Sequence, residues 1–296
     1  MAYALFFTHE RKGGEEVTET WSEVQYKRLA ELGASTDALQ QTFQNAQERN
    51  QWFQQLEQTL IRKQRAHLAA FQSSVRKPGL VSLEERLSAM LIEAGFSRVS
   101  TPIIMSRGLL KRMDIDAGHP LNDQIYWLGD GKCLRPMLAP HLYFVLKDLL
   151  RLWDKPVRIF EVGPCFRKES HGGKHSQEFT MLNLVEMGLP QEECEPRLPE
   201  LAAMVMQTAG ITEYAFETEN SEVYGTTMDI VSGEEAVELG SGALGPHRLD
   251  KAWKITVPWV GIGFGLERLL MIREQSSSLA RMGRSLSYLN GVRLNI

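Results

Sequence analysis

Two stretches of this chain alternate at the two-residue period of a β-strand, and both bring polar groups or glycines to one face. From Phe160 onward, FEVGPCFRKE puts Cys165, Arg167 and Glu169 on a single side, so a guanidinium and a carboxylate project together. Gly172-Gly173 predicts a turn. The return strand sets Phe179, Met181, Asn183 and Val185 on one face and Thr180, Leu182 and Leu184 on the other, leaving Asn183 as an amide in an apolar row. A buried amide needs a partner. Further on, WVGIGFG places Gly261, Gly263 and Gly265 at the same period, which clears one strand face for a flat or anionic ligand. The pattern then changes to a helix, LERLLMIRE, with Glu267 and Arg268 in its first turn. Helix N-terminal amides favour anions, and a guanidinium there can grip phosphate oxygens bidentately.

Helical periodicity accounts for much of the remainder. Leu83, Leu87, Met90, Leu91 and Ala94 form one face of a helix ending at Gly95, followed by a strand and Pro102. A helix over 140–153 turns Leu142, Tyr143, Leu146 and Leu149 inward. Near the N-terminus, Val24 to Leu32 predicts a helix stopped by Gly33. A long helix is expected from Asp37 to about Ser73, with Ser35 or Thr36 as N-cap and Phe53, Leu56 and Leu60 as a narrow apolar stripe. Residues 120–137 read as two strands around a turn at Asp130-Gly131. LPQEECEPRLPE reads as a connector, Leu198 to Thr208 as a helix, and short strands surround Tyr214, Tyr224 and Met228 to Val231.

Length and composition suit one large domain of roughly 200 to 220 residues with a small appendage. The three cysteines, Cys133, Cys165 and Cys194, lie far apart with no CxxC spacing, which supports neither a disulfide framework nor a zinc knuckle and favours the cytoplasm. The apolar run Ala2 to Phe7 is too short for a bilayer and has no basic stretch before it, so no signal peptide and no membrane association are expected. Net charge is −4, against a surface coated for indiscriminate nucleic-acid binding. Yet no acid lies between Glu57 and Glu84, an interval holding Arg62, Lys63, Arg65, His67, Arg76 and Lys77, and none follows Gln275, where Arg281, Arg284 and Arg293 stand. From charge alone, the first patch suits a solvated helix as well as phosphate binding.

Taken singly, the strand motifs leave alternatives open. The glycine row could be a packing solution between sheet and helix, and its third interval is one residue short of a dinucleotide fingerprint. Arg167 and Glu169 could be a cross-strand surface pair. The two segments in this order, however, resemble motifs 2 and 3 of the class II aminoacyl-tRNA synthetases, and the helix and strand over 80–105 resemble motif 1. CLRPMLAPHLY at 133–143, CFRKES with EFTMLN, PWVGIGFGLERLL and the ending ARMGRSLSYLNGVRLNI resemble, within that class, the pyrrolysyl-tRNA synthetase family. The similarity runs from about Trp21 to the C-terminus, and it is greatest to bacterial members whose N-terminal tRNA-binding domain is a separate polypeptide.

The resemblance implies an α+β fold: an antiparallel sheet flanked by helices at 80–296, a helical tRNA-contacting extension at 21–79 and a tail at 1–20. It implies ATP and pyrrolysine as substrates, Mg2+ as cofactor, tRNA(Pyl) as partner, a homodimer through motif 1, and a separate N-terminal-domain protein that also binds the tRNA. Arg167, Glu169, Glu267 and Arg268 are implied as catalytic. The nucleotide would meet Arg167 at the α-phosphate, Arg268 at the γ-phosphate and Phe179 beneath adenine, with Glu169, His175 and Gly265 completing the site. Glu238 and Ser241 match the metal positions; Gly240 and Gly242 stand where relatives often carry serine or alanine. Ala139, Leu142, Tyr143, Leu146, Val185, Trp259 and Gly261 match the wall of a long apolar amino-acid pocket, Asn183 its polar determinant and Tyr224 its cap. Arg62, Lys63 and Arg65 would meet tRNA. An amino-acid:AMP ligase that ignores tRNA and a silent tRNA-binding relative remain as rivals. The absence of GxxxxGK[ST] and of a Ser/His/Asp set argues against P-loop kinases and hydrolases.

Overall fold

The computed structural model describes residues 18–168, 176–233, 235–276 and 278–296. The chain forms two compact units, one comprising the residues up to Val75 together with Val292–Ile296, the other Arg76–Gly291. The expected boundary lay four residues later, and the last five residues were expected with the larger unit.

The first unit is built on a small aromatic core. Strand β1 (Glu19–Thr20), at the end of the expected tail, pairs antiparallel with β2 (Thr42–Phe43). Helix α1 (Glu23–Glu31) opens on Ser22, which forms a reciprocal capping box with Gln25. Helices α2 (Thr36–Leu39) and α3 (Ala46–Ala70) follow. The long helix predicted from Asp37 is therefore two helices. Ser35 caps only the short one, and Asn45 restarts the chain by accepting the Glu48 amide. The break pairs Phe43 with Glu19 and buries it against Trp21, ring centroids 4.4 Å apart, an arrangement an unbroken helix would forfeit. Phe53, Leu56 and Leu60 pack on that cluster as their spacing predicts.

The second unit is organised by α4 (Gly79–Glu93), β3 (Ser97–Arg98), β4 (Ile104–Ser106), α5 (Arg107–Lys111), α6 (Pro120–Asp123), β5 (Trp127–Gly129), β6 (Lys132–Leu134) and α7 (Ala139–Leu152). Next come β7 (Val157–Phe166), β8 (Glu178–Met187), α8 (Gln191–Ala209), β9 (Ala215–Ser221), β10 (Gly225–Ser232), β11 (Val237–Gly245), α9 (Asp250–Trp253), β12 (Trp259–Gly265) and α10 (Leu266–Arg273). Seven strands form one sheet in the order β3-β7-β8-β12-β11-β10-β9, antiparallel except where β3 joins β7.

The alternation of β8 explains how the sheet divides the interior. Leu182 and Leu184 enter a core shared with α4, α8 and α10, while Val185 and Met187 enter a second core with α5, α6, α7, α9 and the small sheet of β4, β6 and β5. Both faces are covered, so the sheet's inner strands read as nearly continuous apolar runs. Leu83, Leu87 and Leu91 of α4 are fully buried on the first side, as their spacing predicts. The stretch expected to be a connector is instead the opening of α8, with Pro196 and Pro199 inside the helix. Cys194, Leu198, Leu201, Ala202, Val205 and Met206 form its buried stripe, and burial of that stripe outweighs the backbone bonds the prolines remove.

Candidate active site

On the second side of the sheet lies a cavity of about 390 Å³ whose floor is the glycine row. Gly261, Gly263 and Gly265 of β12 sit opposite Val185, Asn183 and Met181 of β8, while Ala243 and Ser241 of β11 flank Gly261 and Gly263 on the other side. Side chains on both flanking strands therefore rise around a bare central strand. The close fit is most severe at Gly245, beside Trp259: an added Cβ would lie 1.9 Å from the indole Nε1, so only glycine lets the ring lie across β11.

One end of the cavity is cationic. Arg167 follows β7, donates from Nε to the Pro136 carbonyl at 3.0 Å and lies 5.3 Å from the Phe179 ring centre. Arg268, in the first turn of α10, donates to the main-chain carbonyl of Glu238 at 3.0 Å and pairs with its carboxylate at 3.3 Å. Glu238 and Ser241 share the cavity face although they are three residues apart. The cause is a bulge: Ile230 pairs with Gly240 and Val231 with Glu238, so Leu239 is an extra residue that turns into the helix-side core. Ser241 in turn donates its hydroxyl to Asp229 at 2.5 Å. A Cβ at Gly240 would meet Phe264 at 2.5 Å and one at Gly242 would meet Leu198 at 2.9 Å, so these glycines serve helix-side packing.

Glu267 behaves differently from its neighbour. Both of its carboxylate oxygens lie 2.9 Å from the Thr180 amide, and the Thr180 hydroxyl accepts from Arg284 at 2.7 Å. Burial pushes the Glu267 carboxyl above its ordinary pKa, opposed by the Thr180 amide bond. Glu267 reaches the cavity wall, but its oxygens hold the strand that carries Phe179 and Met181.

The other end is apolar and aromatic. Ala139, Leu142, Tyr143 and Leu146 project from α7, whose second residue, Pro140, occupies a position where a missing N–H costs nothing. Tyr143 stacks on Trp253 at 5.5 Å and meets Trp259 edge-on at 5.8 Å. Trp259 is fixed by its Nε1 donating to Asp250 at 2.9 Å. Asn183 is buried and donates to the Ile262 carbonyl at 2.8 Å, which supplies the partner its burial demands. Tyr224 closes this end, edge-on to Trp259 at 6.4 Å, and burial raises its phenol pKa as it does that of Tyr143.

Of the residues expected in the site, Glu169 and His175 lie outside the described residues, as does the Gly172-Gly173 turn. The others expected around nucleotide, metal and amino acid all line this one cavity. Arg62, Lys63 and Arg65 belong to the other unit, where they lie on α3 while the intervening Gln64 is buried and donates to Leu32. Sequence reasoning missed Asp229, although alternation in TTMDIV puts it on the face of Thr227. It also left unassigned the contributions of Arg284, His119 and Met181. Cys133 and Cys165 are buried with thiols pushed up to about 11 and about 12, so neither supplies a thiolate nucleophile. Among the described residues no cluster of three or more His, Cys, Asp or Glu side chains suits a metal ion, and no helix is long and apolar enough to cross a membrane.

Comparison with known proteins agrees with this geometry. Residues 66–290 match the class II core domain (F) of the tRNA synthetases. The crystal structure of pyrrolysyl-tRNA synthetase from Desulfitobacterium hafniense superposes with a TM-score of 0.88 at 51% identity, covering 94% of this chain and 99% of that one. A second pyrrolysyl-tRNA synthetase structure from the same organism gives the same TM-score at 49% identity, over 97% and 99%. The phenylalanine–tRNA ligase alpha subunit of Thermosynechococcus vestitus is 23% identical over 73% of this chain. The chain spans 68% of that subunit's length, and 15%, 37% and 24% of three further curated relatives. The chain belongs to the class II aminoacyl-tRNA synthetases, within the pyrrolysyl-tRNA synthetase family.

Proposed function

We propose that this enzyme activates pyrrolysine with ATP as pyrrolysyl-adenylate and then transfers the acyl group to the 3′ end of tRNA(Pyl). The observation that carries this reading is the division of one cavity into a cationic end at Arg167 and Arg268 and a long aromatic end at Tyr143, Tyr224 and Trp259, joined by a glycine floor. Adenylation brings a carboxylate to the α-phosphorus, forming the O–P bond as pyrrolysine displaces pyrophosphate. Two anions must be held together, so fixed cations matter more than proton transfer. Arg167 meets the α-phosphate, Arg268 the γ-phosphate, and Phe179 stacks on adenine, with Glu169, His175 and Gly265 completing the nucleotide site. Glu267 contributes by holding Thr180 and hence the strand bearing Phe179.

Glu238 and Ser241 fit Mg2+ because the β11 bulge turns two hard oxygen donors toward the cavity, beside the carboxylate of Asp229. Such an ion, when bound, neutralises charge gathering on the pyrophosphate leaving group. In the second step the tRNA ribose hydroxyl attacks the acyl carbon and AMP leaves, a step governed by positioning.

The aromatic end favours an Nε-acylated lysine. Asn183 has a second amide N–H beyond the one given to Ile262, suited to the substrate's side-chain carbonyl, and Tyr224 caps the ring. Exposed Ile92, Ile103 and Ile104, at 56%, 43% and 53%, lie in the motif 1 region and support a homodimer. The basic face of α3 carrying Arg62, Lys63 and Arg65 is assigned to tRNA, alongside a separate N-terminal-domain protein. Three free, buried cysteines fit the reducing cytoplasm. Charging of tRNA(Pyl) transcript with pyrrolysine, resolved on acid gels, tests the whole reading: acylated tRNA supports it, and adenylate formation without acylated tRNA would replace it with the tRNA-independent ligase.

A further inference from the structure

The turn between β9 and β10 brings Tyr224 to the cavity, and three successive carbonyls of that turn are met by side chains from other segments. Arg248 Nη2 donates to the Val223 carbonyl at 3.0 Å and His247 Nε2 to the Tyr224 carbonyl at 2.6 Å. His119 Nε2 reaches the Glu222 carbonyl at 3.4 Å, the longest of the three. The tautomers follow from the other ring nitrogens. His119 Nδ1 accepts the Leu121 amide at 3.1 Å and His247 Nδ1 accepts the Leu249 amide at 3.3 Å, which leaves Nε2 as the protonated, donating atom in each.

Two sources supply these donors. His119 caps α6, while His247 and Arg248 lie between β11 and α9. Arg248 also pairs through Nη1 with Asp114, which steadies the guanidinium. The turn's own amides are handled locally, since Ser221 Oγ accepts from both Val223 and Tyr224 at 3.3 Å. The hairpin ladder from Ser221↔Gly225 onward closes the register without outside help. The three carbonyl bonds are therefore additional to what the hairpin needs, and they fall on Glu222, Val223 and Tyr224, the turn that carries the residue covering the amino-acid end.

We propose that His119, His247 and Arg248 form a latch that holds the Tyr224 turn over the amino-acid end of the cavity. They are positioning residues for the amino acid, acting through the main chain and leaving the nucleotide end alone. The identity of the amino acid rests on the proposed function; the latch itself does not.

The test uses Arg248→Ala, His247→Ala and Arg248→Lys. Hydrogen–deuterium exchange is measured on the protein without substrate, and the KM values for pyrrolysine and ATP by pyrophosphate exchange. Removing a latch bond worth a typical net hydrogen bond should raise the amino-acid KM about three- to tenfold while the ATP KM stays fixed. Amides 219–226 should exchange faster in both alanine variants, and Arg248→Lys should recover part of each effect. Unchanged exchange at 219–226 in both alanine variants, or ATP and amino-acid KM rising together, would overturn the latch. Faster exchange at 219–226 in a protein that activates neither pyrrolysine nor any Nε-acyl-lysine would uphold the latch and remove the substrate assignment instead.

Discussion

Arg268 pairs with Glu238 at 3.3 Å and also donates to its main-chain carbonyl, so the guanidinium assigned to phosphate and the carboxylate assigned to metal are held as a unit. Removal of the Glu238 side chain therefore takes away an oxygen donor and also loosens Arg268. In a double-mutant cycle on kcat/KM for adenylation, Arg268→Ala and Glu238→Ala should couple by about 0.5–3 kcal/mol, as touching residues do. Additive effects would mean that the two act independently. Arg268→Lys should not restore activity: Nη1 alone meets both the carbonyl and the carboxylate of Glu238, which leaves the rest of the guanidinium to grip phosphate oxygens bidentately, and an ammonium has no such fork.

Arg167 is aimed by the Pro136 carbonyl and by the Phe179 ring. Arg167→Ala should lower adenylation about 10²-fold or more, the drop typical of removing a donor aimed at developing charge. Binding of tRNA, followed by filter retention, should be nearly unaffected. Wild-type adenylation rates in the variant would remove Arg167 from the α-phosphate.

Asn183→Ala should abolish activation of pyrrolysine and admit bulky aromatic amino acids, because it deletes a polar requirement and widens the cavity. It also removes the hydrogen bond to the Ile262 carbonyl, so a destabilisation of about 0.5–1.5 kcal/mol should accompany the change in specificity. Pyrophosphate exchange across a panel of amino acids and a denaturant midpoint measure the two effects. Unchanged pyrrolysine activation would make Asn183 a structural amide alone.

The raised pKa of Glu267 has a definite sign. The folded protein holds this proton more tightly than the unfolded chain, so the associated stability is fully present below the ordinary carboxyl value of 4.5 and is lost as pH rises through the raised value. Glu267→Gln should flatten the fall in stability above that point, with melting temperatures across the range as the check. An unaltered slope would show that the buried carboxyl does not titrate in the window its burial implies.

Replacing Arg62, Lys63 and Arg65 with glutamine should weaken tRNA binding and reduce the slope of log K against log salt by roughly 0.7–0.9 for each phosphate that the protein no longer neutralises. A slope equal to the wild type would return this face of α3 to an ordinary solvated helix.

What could be read from the residues depended on whether the deciding interaction was local. The alternation of β8 was legible because each of its faces enters a core, and the glycine row because three glycines at period 2 clear one face of a strand whatever comes to lie on it. The common face of Glu238 and Ser241 was not legible, since spacing on a regular strand puts them on opposite sides and only the bulge at Leu239 reverses that. The restart of the helix at Ala46 was equally hidden, because the burial of Phe43 against Trp21 that decides it joins residues distant in the chain. The role of Glu267 was hidden for the same reason, its partner Thr180 being 87 positions away. In α8 the prolines pointed to a connector, and a buried stripe formed with the sheet overruled them.

One cavity is assigned to the activation of a long, Nε-acylated lysine with ATP. ATP–pyrophosphate exchange with purified protein, comparing pyrrolysine, an Nε-acyl-lysine, phenylalanine and lysine, tests it most directly. Exchange with the first two and not with phenylalanine or lysine is the predicted result. Exchange with phenylalanine in place of pyrrolysine would contradict the assignment of the aromatic end, and no exchange with any of the four would contradict the adenylation site itself.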